Sequence, residues 1–216
     1  YTDGGTISAD ESNCGGFDPA LIQSTSHPSG GCGGTQEYQW QSRAFNCTTN
    51  AYGSWVNISG ANNATYNPGT ISVTTQYRRR ARLASCTKWQ FSNVVTKTVI
   101  DNPDDAGTIA GNEEQCGAFI PNNISSTALP TPGCGGGNFE YRWQSREKDC
   151  VTGNFTSWTV IGGASNASYN PPSLISTTTQ YRRQAREAGC TQWQNANVVT
   201  KTVVENYTGG GTINGD

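Results

Sequence analysis

Cysteines are the residues of this sequence with the most specific chemistry. The 216-residue chain holds eight of them, and the closest pair in sequence is Cys32 and Cys47. Zinc sites favour close pairs such as C-x-x-C, and the single histidine, His27, offers little further ligation. We therefore interpret the cysteines as oxidised, structural residues of an exported protein. The eight positions are Cys14, Cys32, Cys47, Cys86, Cys116, Cys134, Cys150 and Cys190.

Few residues in this chain are suited to catalysis. A serine or cysteine nucleophile needs a nearby base, but His27 lies in a Pro/Gly turn that has no histidine in the second half of the sequence. We expect no enzymatic activity and no cofactor. The net charge of −2 gives no reason to expect a nucleic acid partner, and no apolar run is long enough for membrane insertion.

Acidic residues cluster in the segment IDNPDDAG. Asp101, Asp104 and Asp105 could supply the oxygen ligands that Ca²⁺ prefers, which makes them a calcium candidate. The corresponding later segment, VENYTGGG, holds only Glu205 as an acid, which argues against a site that recurs along the chain. The main interpretation of the carboxylate pairs at 10–11, 104–105 and 113–114 is that they are solvated turn positions.

Arginines alternate along QYRRRAR and QYRRQAR. On a strand, alternate arginines would form an exposed row beside Gln39, Gln41 and Arg43. The row would consist of Arg78, Arg80 and Arg82. The main interpretation is a solvated sheet face whose charges discourage aggregation. The alternative is contact with acidic polysaccharide, aided by Trp89 and Trp193 if these are exposed. Its candidate residues are Arg78, Arg80, Arg82, Arg182 and Arg186.

Seven N-x-S/T sequons mark exposed turns as candidate glycosylation positions, although an Asn-, Ser- and Thr-rich chain produces many by chance. They are Asn46, Asn57, Asn63, Asn123, Asn154, Asn166 and Asn206.

An internal repeat decides the organisation of the chain. EYQWQSR recurs as EYRWQSR, TTQYRR and NVVTKTV each occur twice, and the four cysteines of the first half map onto those of the second. The opening segment YTDGGTISAD returns at the end as YTGGGTINGD. We predict one repeat at 1–103, a second at 104–207 and the start of a third at 208–216, as part of a longer array.

Within each repeat the hydrophobic pattern has a period of two, as in half-buried strands, and turn signals such as YNPG are frequent. About seven strands per repeat, with a tryptophan in the third, predict an all-β fold of two tandem immunoglobulin-like β-sandwich modules with two disulfides each. Trp40 and Trp143 are the predicted core tryptophans.

Strand direction suggests a disulfide pairing. Cys32 and Cys47 flank one strand and should lie at opposite ends of the sandwich, too far apart for a bond. The favoured pairs are Cys14–Cys47 and Cys32–Cys86, with Cys116–Cys150 and Cys134–Cys190 as their equivalents. A bond between modules, Cys14–Cys190, remains an alternative.

The ordered set GGTI, ESNCGGFDP, EYQWQS, TTQYRRRAR and SNVVTKTV resembles repeats of SprB-type gliding-motility adhesins, giant cell-surface proteins of gliding bacteria. The resemblance covers essentially the whole chain, twice. It implies an immunoglobulin-like repeat, export to the cell surface and a role in adhesion or gliding motility, and it supplies no catalytic residues.

Together these observations predict an extracellular filament or adhesin that contacts neighbouring repeats of the same chain, surface polysaccharide or other filaments. A purely structural filament or sheath, whose modules bind only one another, is the alternative. A third hypothesis is a non-catalytic array attached to a secreted enzyme.

Overall fold

The computed structural model describes residues 1–31, 33–134 and 136–205, and these residues fold into two compact β units. Unit 1 comprises Tyr1–Asn102 together with Gly133–Gly136, and unit 2 comprises Pro103–Pro132 and the chain from Gly137 onward. The loop 133–136 therefore belongs to the second repeat in sequence and to unit 1 in space. The predicted start of a third repeat, 208–216, lies outside the described residues.

Nine strands form unit 1 over the residues that the structure describes. A small sheet pairs β1 with β3, and a large sheet has the order β2-β9-β7-β4-β5, with β6 also paired to β4 and β8 to β7. The strands are β1 (Thr6–Ser8), β2 (Glu11–Cys14), β3 (Gln23–Ser26), β4 (Gln36–Asn46), β5 (Ala51–Tyr52), β6 (Val56–Asn57), β7 (Thr75–Leu83), β8 (Gln90–Phe91) and β9 (Val95–Ile100).

Unit 2 repeats this arrangement with seven strands among its described residues. A small sheet pairs β10 with β12, and the large sheet has the order β11-β16-β15-β13-β14. The strands are β10 (Thr108–Ala110), β11 (Glu113–Cys116), β12 (Ser125–Ala128), β13 (Phe139–Glu147), β14 (Thr159–Ile161), β15 (Thr179–Glu187) and β16 (Gln194–Val204).

The strand order is that of an immunoglobulin-like sandwich, as predicted. In unit 1 the antiparallel strands β4, β7 and β9 form the centre of the large sheet, and β2 joins its edge parallel to β9. The small layer is extended by an isolated bridge between Ile22 and Tyr66. The core tryptophan lies on β4, the strand that carries the buried tryptophan in immunoglobulin domains.

Each unit has a small core around one tryptophan. Trp40 is fully buried and packs with Ile7, Ile22, Tyr77 and Val95. Its indole Nε1 donates a hydrogen bond to a backbone carbonyl, that of Asn63, at 2.9 Å, which satisfies the one polar atom of the ring.

Trp143 has the same position in unit 2, where it packs with Ile109, Ile124, Tyr181 and Val199. Both predicted core tryptophans are thus confirmed. Because each core is small, polar interactions at the sheet faces and strand ends carry a larger share of the stability.

Candidate functional site

The outer face of the large sheet in unit 1 carries a row of stacked arginine and aromatic side chains. The guanidinium of Arg78 lies between two rings, 4.3 Å from the centroid of Trp55 and 4.1 Å from that of Phe91. Arg43 stacks on the same indole at 4.5 Å. A cation over an aromatic face is attracted by the ring quadrupole, so these side chains hold one another in place.

A second stack follows along the same strand. Arg80 and Arg82 both lie over Trp89, at 4.5 and 4.4 Å from the ring centroid. Arg82 also forms an ion pair with Glu37 at 2.7 Å. We define the arginine–aromatic face of unit 1 as Arg43, Arg78, Arg80, Arg82, Trp55, Trp89 and Phe91.

Unit 2 repeats the stacks with one exchange, since Gln184 replaces Arg80 and Arg142 on β13 supplies the second arginine instead. Trp158 is stacked by Arg146 and Arg182 at 4.5 and 4.3 Å. Trp193 is stacked by Arg142 and Arg186, both at 4.4 Å.

The register of the central strands explains why these side chains meet. Gln39, Gln41 and Glu37 lie opposite Arg80, Arg78 and Arg82 respectively. These arginines form one row as predicted, but the row is half-buried and not exposed, because aromatic rings stack on it. The Nε atoms of Arg78 and Arg182 donate to glutamine side chains at 2.8 and 2.7 Å. Burial, together with neighbouring guanidinium charges, lowers the pKa of both arginines.

Trp89 and Trp193 are half-buried between arginines instead of forming open platforms. Sequence reasoning missed Arg142, Arg146 and Trp158 as members of the face. A signal was present, because a second tryptophan follows each core tryptophan at the same spacing in both repeats. The face is a fixed array of planar cations, a surface that suits carboxylate or sulfate groups.

A buried arginine organises the opposite side of each large sheet. Arg183 is fully buried, and its guanidinium donates to the carbonyls of Ala167 and Ala128 at 2.7 and 2.9 Å and also to the carbonyl of Ala106. Burial lowers its pKa. Arg79, its equivalent, donates to the carbonyl of Ala64 at 2.7 Å. These arginines join the strands of the two layers through backbone oxygen atoms.

Buried lysines hold the edge strands. Lys97 pairs with Glu11 at 3.0 Å, and Lys201 pairs with Glu113 at the same distance. The hydrogen bond from Lys97 lowers the pKa of Glu11. For Glu113 the backbone N–H of Asn122 and then Lys201 lower the pKa. The prediction of solvated carboxylates is therefore wrong for these two glutamates, which anchor β2 and β11.

The described disulfide is Cys47–Cys134, with a Cα–Cα distance of 5.4 Å. It joins the end of β4 to the loop 133–136, both in unit 1. The backbone N–H of Cys134 donates to the carboxylate of Asp101 at 3.2 Å. Gly133 packs so closely on Asp101 that a Cβ added at position 133 would collide with the Cβ of Asp101.

This bond corrects the predicted pairing. The pairs Cys14–Cys47 and Cys134–Cys190 are wrong because Cys47 and Cys134 bond to each other. Cys86 and Cys150 are exposed thiols, so Cys32–Cys86 and Cys116–Cys150 are wrong as well. The reason is that a loop from the next repeat, and not a strand end of the same repeat, reaches the sulfur of Cys47.

Cys14 and Cys190 are also disulfide-bonded, and the alternative Cys14–Cys190 stays a prediction. Cys32 lies outside the described residues.

Two of the three candidate calcium ligands form hydrogen bonds with nearby backbone groups. Asp101 accepts from the Cys134 loop, and Asp105 accepts from the backbone N–H of Gly107 at 2.6 Å, whereas Asp104 is exposed. In the part of the chain that the structure describes, no three acidic, histidine or cysteine side chains converge on a metal position. Calcium binding by Asp101, Asp104 and Asp105 therefore has no support from the geometry.

The sequon asparagines Asn46, Asn57, Asn63, Asn123, Asn154 and Asn166 are exposed, so glycosylation stays a prediction, and Asn206 lies outside the described residues. Over residues 1–31, 33–134 and 136–205 no helix occurs that could cross a membrane.

The fold and the site define a class: tandem immunoglobulin-like repeats in which a loop of one repeat is disulfide-bonded to the preceding one. Residues 3–101 and 105–205 each match the model of a family described as "Domain of unknown function (DUF8696)". The chain belongs to this family and contains two copies of its domain.

No curated protein matches the chain. Among solved structures the chain is similar to the D0-D1 domain of intimin, with 13% sequence identity and a TM-score of 0.24 over 92% of this chain and 97% of that one. At so low a TM-score, the immunoglobulin-like assignment stands on the strand order described above.

Proposed function

We propose that this chain is a segment of an extracellular surface filament built from tandem repeats, which serves adhesion and gliding motility without catalysing a reaction. The observation that carries the proposal is the Cys47–Cys134 disulfide. A covalent bond from one repeat to a loop of the next shortens the chain that can extend when the array is pulled. Such a bond suits a mechanical element.

The compartment follows from the same chemistry. Disulfides persist outside the cytosol, where thiols are not kept reduced, so an exported location fits a chain whose cysteines bond in this way. The resemblance of both repeats to gliding-motility adhesins supports the cell surface of a bacterium as that location. The small cores, each built around one tryptophan, fit modules that depend on their cross-links.

The adhesive surface that we propose is the arginine–aromatic face. Its arginines are held by ring contacts, and Arg78 and Arg182 also by hydrogen bonds from Nε, so little side-chain entropy remains to be lost on binding. The fitting ligand class is an acidic polysaccharide, since guanidinium groups pair with carboxylate and sulfate oxygens. Neighbouring filaments are the alternative partner.

Force measurement tests the mechanical part of the proposal. All cysteines except Cys47 and Cys134 are replaced by serine, and the chain is stretched from its ends under oxidising and reducing conditions. The bond spans 87 residues, so reduction should lengthen the unfolded chain by about 300 Å, at about 3.4 Å per residue. Equal lengths in both conditions would contradict a load-bearing cross-link.

A binding assay tests the adhesive part. A polysaccharide rich in uronic acid or sulfate should bind the immobilised chain, and the double variant R80Q/R82Q should bind several-fold more weakly. The matched control is Lys88→Gln, which removes charge from an exposed residue outside the stacks. A chain that binds only other copies of itself would favour the purely structural filament.

Gliding needs its own observation. Antibody against the chain should label spots that travel along the surface of living cells that make the protein. Stationary labelling would contradict the gliding role while leaving adhesion standing.

A further inference from the structure

Cys150 has the same structural setting as the disulfide-bonded Cys47. Each follows its core tryptophan by seven residues and lies in the turn after the corresponding strand, β4 or β13. In unit 1 the side chain of Asn46 accepts from the backbone N–H groups of Thr48 and Thr49. In unit 2 Asp149 accepts from the two residues after Cys150 in the same way, at 2.8 and 3.0 Å. The same turn therefore presents both sulfur atoms.

The acid beside the bond also recurs. Asp101 directly follows β9, and its carboxylate accepts a hydrogen bond from the backbone N–H of Cys134. Glu205 directly follows β16, the equivalent strand, and its carboxylate lies 3.7 Å from the Sγ of Cys150. Both residues that hold the loop 133–136 in unit 1 thus have counterparts in unit 2.

A cavity of about 230 Å³ lies at this place in unit 2. Its lining includes Cys150, Glu205, Thr178 and Val203. Thr178 is joined to Val203 by reciprocal hydrogen bonds at 3.4 and 3.1 Å, the arrangement that joins the corresponding residues of unit 1. The cavity is therefore lined by the counterparts of Cys47 and Asp101, the two residues that Cys134 contacts in unit 1.

We infer that Cys150 forms a disulfide with the Gly-Cys-Gly-Gly loop of another repeat of this family, seated against Glu205. The partner needs glycine before the cysteine, because Gly133 meets Asp101 too closely to allow a Cβ. The sequence Gly31-Cys32-Gly33-Gly34 meets this requirement, so a further copy of this chain is a suitable partner. The inference rests on the proposed function only in taking the array as the working form.

The chemistry is thiol–disulfide exchange with a small-molecule disulfide as the oxidant. The Cys150 thiolate attacks one sulfur of that disulfide and expels one thiolate, which takes up a proton. The thiolate of the loop cysteine then attacks the Cys150 sulfur of the mixed disulfide and expels the second thiolate. One S–S bond breaks and one forms, and two small thiols leave with the two protons.

The test uses an extended chain in which residues 11–205 of the same sequence follow Asp216. Because 207–216 matches 1–10, the added Cys32 then follows Glu205 by 33 residues, the separation of Asp101 and Cys134. The chain is oxidised with glutathione disulfide, alkylated and digested without reduction. Mass spectrometry should find Cys150 linked to the added Cys32, alongside the Cys47–Cys134 peptide.

Controls separate the inference from the proposed function. Replacing the added Gly31 with alanine should abolish the Cys150 bond and leave Cys47–Cys134 intact. If Cys47–Cys134 forms while Cys150 stays alkylated or bonds elsewhere, the inference is overturned and the proposed function stands. If neither bond forms, both fail.

Discussion

Loss of the Cys47–Cys134 disulfide should lower the free energy of unfolding by about 4–5 kcal/mol. The bond spans 87 residues, and closing a loop of that length removes about 15 cal/mol/K of entropy from the unfolded chain, which is about 4.6 kcal/mol at 25 °C. The loop includes the end of unit 1 and the start of unit 2. The full effect is therefore reached only when both units have unfolded.

The assay is urea denaturation followed by tryptophan fluorescence, with free energies summed over the observed transitions. The reference chain keeps Cys47 and Cys134 and has serine at the other six cysteine positions, because Cys14 and Cys190 also form disulfides. The variant adds C47S and C134S. Reducing agent should bring the reference chain to the stability of the variant and leave the variant unchanged.

A difference below about 1 kcal/mol would refute this reasoning. It would mean that the loop 133–136 is held by its contact with Asp101 alone, or that the unfolded chain stays compact without the bond.

Three further predictions concern the residues that hold each unit. Arg183→Met should lower the free energy of unfolding by about 3–5 kcal/mol, measured by urea denaturation, because backbone carbonyls buried around the guanidinium lose their donor. Glu113→Gln should flatten the pH dependence of stability in acid. The folded pKa of this carboxyl is lowered, so its contribution is full above the unfolded value of about 4.3 and is lost as pH falls through the folded pKa; an unchanged pH profile of thermal unfolding would contradict this. Gly133→Ala should prevent the Cys47–Cys134 bond, as judged by thiol counting, whereas Gly162→Ala, where a Cβ meets open space, should not.

The fold was predictable because its signals are local. Alternation along β4 and β7 assigns each side chain to one of two faces, and this placed Trp40 in the core and Arg78, Arg80 and Arg82 on one face. The same alternation puts Arg79 on the core face. Composition argues against a buried arginine, since an isolated charge is costly to desolvate. Only the structure shows the backbone carbonyl groups that accept hydrogen bonds from the guanidinium of Arg79.

The disulfide pairing was not predictable from one repeat. Strand direction correctly places Cys14 and Cys47 at one end of the large sheet, since Cys14 pairs in register with Ile100 at the end of β9 and β4 runs in the same direction. The sulfur of Cys47 is reached instead by a loop 87 residues further along. The loop that packs at this end of the sheet is selected by contacts between residues far apart in sequence. The alternation of side chains along a strand contains no information about such contacts.

The position of this loop also decides what the structural repeat is. A fragment that ends at Asn102 contains every strand of unit 1, yet it lacks Gly133–Gly136 and leaves Cys47 without its partner. The boundary of the sequence repeat and the boundary of the folded unit therefore differ by one loop. In a linear array, stability is the sum of repeat and nearest-neighbour terms, and here the nearest-neighbour term includes a covalent bond. Unit 1 is therefore complete only when the loop of the second repeat has bonded to it, so its stability depends on the module that follows it in sequence.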